Sequence, residues 1–142
     1  MTGRSFLHRL WWAVRDYARR IWDVAGEDNI SFLAGGIAAA FPECIGEPYG
    51  DGSGTKYLSL IGQPILIYGA DRPALSRALE RALSRNVTPA IYTEDMFKST
   101  HDAANREVVK AVVRAELNLV GLAMRAERKV IDKIVDGLKF HS

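Results

Sequence analysis

The stretch PILIYGADRPALSRALERALSRN, residues 64–86, decides the fold class. Ile65 to Tyr68 is a short apolar run between Pro64 and Gly69, the pattern of a buried strand. Asp71 then stands where a helix N-cap is needed, with Pro73 near the first turn. Ala74, Leu75, Ala78, Leu79, Ala82 and Leu83 recur at helical spacing, while Arg77, Glu80, Arg81 and Arg85 take the other side. Asn86 ends the helix in a turn-compatible position. Strand followed by amphipathic helix is the unit from which α/β sheets are built.

The alternation continues downstream. Pro89 opens a strand, Ala90 to Thr93, and a helix is expected from about Asp102 to Glu116 with Ala104, Val108, Ala111, Val112 and Ala115 inward. Asn118 to Met124 reads as a third buried strand, and Glu127 to Asp136 as the closing helix before Gly137. Upstream, the glycine-rich run Gly46 to Thr55 is expected to be loop, and Tyr57 to Ile61 a short strand. A short helix from Asn29 or Ser31 to Phe41, stopped by Pro42, carries a Gly35-Gly36 pair suited to close packing.

The first segment reads as a helix capped by Ser5. Phe6, Leu10, Val14, Tyr17, Ile21 and Val24 recur at spacings of three and four, Trp11, Ala18 and Trp22 widen the stripe, and Gly26 is a stop. Arg4, Arg9, Arg15, Arg19 and Arg20 make it basic, so these arginines with Trp11 and Trp12 form a candidate binding surface. The expected organisation is a basic amphipathic helix over 1–30 and an α/β domain over 31–142.

At 142 residues, 48% hydrophobic and 25% charged, the chain suits one core without disulfides or a structural metal. Cys44 stands alone, which fits a reducing compartment and a small buried hydrophobe. A net charge of +2 is too balanced for a general nucleic-acid binder. The uncharged run from Asn29 to Pro42 is shorter than the roughly 20 residues of a spanning helix, and no secretory leader is evident. These features predict a cytoplasmic protein with no transmembrane segment. His8, His101 and His141 lack partners at ligand spacing, so no metal and no cofactor are expected. The run GDGSGT at 50–55 lacks the following helix of a phosphate loop and reads as a turn.

Residues from about 36 to 141 carry the runs IAAAFPECIGEPYGDGSGT, GQPILIYGAD, YTEDMFKSTHDAANREVV and LVGLAMRAERKVIDKIVDGLKF. This part resembles the bacterial family called domain of unknown function two thousand, which is similar in fold to the type 2 peptidyl-tRNA hydrolases. The resemblance implies a small mixed sheet of three to four strands flanked by helices, with the first strand missing because the N-terminal helix occupies its place. An edge left open in that way would have to be covered by the helix, a protein partner or a second copy. The hydrolase class has a functional lysine and aspartate near its first strand and helix, and no positions here match them. Residues from about 7 to 38, LWWAVRDYARRIWDVAGEDNISFLAGGIA, resemble instead the N-terminal lead-in of the BrkB and ribonuclease BN-type membrane family, so the chain looks composite.

Thr93, Asp95, His101 and Asn105 form the candidate catalytic cluster, because ligands of open α/β sheets favour the carboxyl ends of strands. A carboxylate and an imidazole there could move protons. The competing reading makes Thr100, His101 or Asp102 a helix cap and the rest loop polars. The expected function is a binding module or a weak hydrolase, with the balance against an enzyme. The alternative is an interaction protein, an inhibitor or antitoxin-like factor or a membrane-surface adaptor, working through residues 1–25; nucleic acid ranks below these.

Overall fold

The run Leu10-Trp11-Trp12-Ala13-Val14, bounded by Arg9 and by Arg15-Asp16, forms the middle strand of a sheet. The computed structural model describes residues 9–16 and 31–140. Strand β1, Arg9–Asp16, lies between β4, Ile65–Ala70, and β6, Leu119–Glu127. It runs parallel to β4 with Ala13 opposite Ile67, and antiparallel to β6 with Ala13 opposite Ala123. The expected helix is therefore overturned over these residues, and so is the expected loss of the first strand. The physical reason is that an interior strand needs no alternation: a short unbroken apolar run serves it as well as it serves a helix. The rest of the expected helix, with Arg4, Arg19 and Arg20, lies outside the described residues.

Strand β5, Ala90–Thr93, pairs antiparallel with β6 at one edge, and β7, Lys139–Phe140, with β4 at the other. The sheet has five strands in the order β5-β6-β1-β4-β7, where three to four were expected. With β1 in the interior, the edge that a missing strand would have opened does not exist. Among the described residues four helices complete the α/β arrangement: α1 over residues 31–40, α2 Arg72–Ser84, α3 Asp102–Lys110 and α4 Arg128–Ile134.

Helix α2 begins where Asp71 accepts a hydrogen bond from the Ala74 N–H at 2.9 Å, and Asn86 supplies the left-handed turn (φ 60°) just past its end. It buries Leu75 and Leu79 beside Ile131 and Ile134 of α4, against Tyr68 of β4 and Leu122 and Met124 of β6. On the opposite side of the sheet, Leu33 and Ile37 of α1 pack with Tyr92, Val120 and Ala123. A bulge in β6 serves both layers: one step on β5, Tyr92 to Thr93, spans two on β6, Gly121 to Leu119. The extra residue lets Leu119 and Leu122 share the α2 layer while Val120 joins the α1 layer.

Three other expectations are revised. Helix α3 stops at Lys110 and buries no residue fully; Val113 is already extended (ψ 153°), as the chain turns back to enter β6. The run 46–55 is not loop throughout. Tyr49–Gly50 (β2) pairs with Lys56–Tyr57 (β3), and the Asp51 carboxylate ties the tip by accepting from Ser53 N–H, Thr55 N–H and the Tyr57 hydroxyl. Beyond β3 the expected strand to Ile61 is reduced to a single bridge, Ile61 to Ile45. There Gly62 N–H donates to the Cys44 carbonyl and Gly46 N–H to the Leu60 carbonyl, both at 2.8 Å.

Candidate functional site

At its carboxyl end β5 runs into the tight turn Glu94–Lys98. Thr93 is only 2% exposed, and its N–H donates to Met96 Sδ at 3.3 Å. Glu94 is committed on two sides: its N–H donates to the Asn118 carbonyl, and its carboxylate pairs with Arg72 at 2.9 Å. Asp95 sits half-buried on the turn. His101 caps α3, its Nδ1 accepting from Ala104 N–H at 3.2 Å, while the Ser99 hydroxyl hydrogen-bonds Asn105 Oδ1. His101 and Asn105 thus line one depression, whereas buried Thr93 and half-buried Asp95 are not part of its lining. The helix-capping alternative is the one that His101 adopts.

Aromatic side chains that the sequence did not single out make the floor. Phe32 of α1 is 65% exposed and stacks on Tyr92 of β5 with ring centroids 5.8 Å apart. Tyr92 also meets Phe97 at 5.1 Å. A groove of about 420 Å³ opens between α1, β5 and α3, with Phe32, Leu33, Tyr92, Met96 and Val109 giving apolar walls. Its rim carries Asp102, Asn105, Arg106 and Lys110. Arg106 is tied to Asp102 at 2.6 Å, leaving Lys110 with no ion-pair partner among the described residues. The groove continues into the depression by His101, sharing Phe32, Tyr92 and Asn105 with it. An α-helix rises about 1.5 Å per residue, so the opposite end of α1 and Phe41 beyond it stand well away from this groove.

Near Phe41 a second polar group is built from distant parts of the chain. The Arg125 guanidinium, from β6, donates through Nε to Gln63 Oε1 at 3.0 Å and through Nη1 to Glu43 Oε1 at 3.3 Å, and lies 5.0 Å from the Phe41 ring centroid. Cys44 is buried beside it. Burial pushes the thiol pKa up, and the Arg125 charge only partly offsets that, so Cys44 is a protonated thiol rather than a nucleophile at neutral pH. Arg9, Arg15, Trp11 and Trp12, expected on a helix surface, instead occupy positions of β1, with Trp11 in register with Arg125. Among the described residues no three His, Cys, Asp or Glu side chains are grouped to hold a metal ion, and no helix is long and apolar enough to cross a membrane.

The model of the family described as protein of unknown function, DUF2000, matches residues 29–142. The chain belongs to this family. A solved structure, of a protein of unknown function from Agrobacterium tumefaciens strain C58, is 38% identical and superposes with a TM-score of 0.89. The match covers 95% of this DUF2000 chain and 98% of that one. That is more of the chain than residues 29–142 make up, so the similarity reaches into the N-terminal segment that holds β1. No curated protein matches the chain.

Proposed function

We propose that this DUF2000 chain is a binding module whose ligand is a small planar apolar molecule with an anionic end, held in the groove between α1, β5 and α3. The observation that carries the reading is Phe32, a large aromatic ring left mostly in water yet stacked on a buried tyrosine at the wall of a concave apolar surface. Concave apolar walls with a few placed polar groups are the usual form of a small-ligand site. The exposed Phe32 ring offers stacking, Asn105 offers an amide, and Lys110, which has no ion-pair partner among the described residues, offers a positive charge. Calorimetric titration of the full chain with 2-naphthoate tests it. Saturable binding is expected, lost on Phe32→Ala and weakened on Lys110→Ala; equal affinity in all three proteins would refute the groove.

A type 2 peptidyl-tRNA hydrolase-like relationship is supported by the mixed sheet with helices on both sides. Weak hydrolysis by Thr93, Asp95, His101 and Asn105 is less well supported than binding. Thr93 is buried away from the groove lining, and the imidazole Nδ1 is engaged in capping α3. If hydrolysis of an ester substrate is measured, Asp95→Ala with His101→Ala should leave its rate unchanged under the binding reading.

A further inference from the structure

We infer that Arg125 and Gln63 form a subsite for a small oxyanion, carboxylate or phosphate, that Glu43 occupies when no such anion is bound. Arg125 projects from an interior strand and its side chain is only 2% exposed. A guanidinium cannot shed its charge when buried, so it requires a counter-charge or a polar enclosure. Among the described residues its ionic partner is Glu43, which makes a single contact at 3.3 Å from a side chain that is 58% exposed. That is a long, one-point pairing for a group whose planar fork favours two parallel bonds to one oxyanion.

Gln63 supplies the second, independent observation. It is 5% exposed, its Oε1 accepts from Arg125 Nε and so fixes the guanidinium, and the Nε2 of the same amide has no hydrogen-bond partner among the described residues. Buried amide donors are almost always satisfied. An oxyanion bridging the guanidinium and this N–H group would satisfy both, while Phe41 covers one face of the cation. Glu43 gives the route in, because it belongs to the turn Pro42–Cys44 and reaches solvent while touching Nη1. Its carboxylate is the same chemistry as the proposed ligand, held within the chain as a displaceable stand-in.

The experiment is an NMR titration of the full chain with inorganic phosphate and, separately, with acetate, following the Arg125 Nε–H and Gln63 side-chain amide resonances. Saturable shifts of both resonances with one of the anions support the site and assign its ligand class; saturation by both supports a general oxyanion site. Glu43→Gln removes the internal competitor and should tighten binding by roughly tenfold, the gap between a charged and a neutral hydrogen-bond partner. Gln at 43 keeps a side-chain oxygen able to accept from Nη1, and a thermal melt run beside the titration checks that the variant is folded although the buried guanidinium has lost its charge partner. Resonances that drift without saturating, or an affinity unchanged in Glu43→Gln, would overturn the inference. A change confined to the Phe32 groove would overturn it too, without touching the proposed function.

Discussion

The Phe32 ring lies 5.8 Å from that of Tyr92, inclined by 28°, and the pair joins α1 to the edge strand β5. One partner is mostly in water and the other buried, so their roles separate on mutation. Phe32→Ala is expected to change unfolding stability by no more than about 0.5 kcal/mol, as for surface positions. Tyr92→Ala should cost about 3 kcal/mol, as for other buried aromatics. Denaturant midpoints of the two variants check this, and a large loss for Phe32→Ala would make the ring a structural element.

At Gly62 an added Cβ would stand 3.2 Å from the Gly46 Cα, and the two hydrogen bonds of the crossing keep the two segments from moving apart. Gly62→Ala should therefore destabilise by about 1–2 kcal/mol. Gly46→Ala meets ordinary contacts at 3.5 Å or more and should cost less. Thermal melts of both proteins rank them, and a Gly46→Ala protein that melts first would contradict the packing.

The Asp51 carboxyl is held below the usual aspartate range, chiefly by the Tyr57 hydroxyl and then by the Thr55 and Ser53 amides. A depressed carboxyl pKa adds stability above the unfolded value of about 3.9, and that stability is lost as pH falls through the folded value. The hairpin tip should thus loosen only in acid. Tyr57→Phe should raise the Asp51 titration midpoint toward the ordinary value, read by carboxyl carbon NMR. An unmoved midpoint would show that the amides alone depress it.

The α/β class was legible because Ile65–Tyr68, Asp71 and the Ala74–Leu83 face each obey a local rule, and the structure keeps the strand, the cap and the helix face, though Ile65 is 43% exposed where a buried strand was expected. Residues 10–14 were not, since Leu-Trp-Trp-Ala-Val satisfies strand and helix alike and only pairing to β4 and β6 decides between them. Asn105 and His101 could be placed near a strand end. Phe32 could not, because its meeting with Tyr92 joins residues sixty positions apart. Arg125 and Gln63 were hidden for the same reason: a guanidinium in a strand signals a site only when its burial is known.

Strand β1 carries its own prediction. Proline at Ala13 removes an amide from a strand paired on both sides, so Ala13→Pro should abolish cooperative unfolding. Carbon shifts over residues 9–16 of the unmodified chain check the cause. Extended values with contacts between Ala13 and Ala123 are expected, and helical values would contradict the sheet.

Binding in the aromatic groove is tested most directly by mapping 2-naphthoate onto the amide resonances of the full chain. Shifts should concentrate at Phe32, Ala90, Tyr92, Asn105 and Val109, saturate together, and vanish in Phe32→Ala. Saturating shifts located elsewhere, or a map that Phe32→Ala leaves intact, would contradict the assignment of this groove as the ligand site.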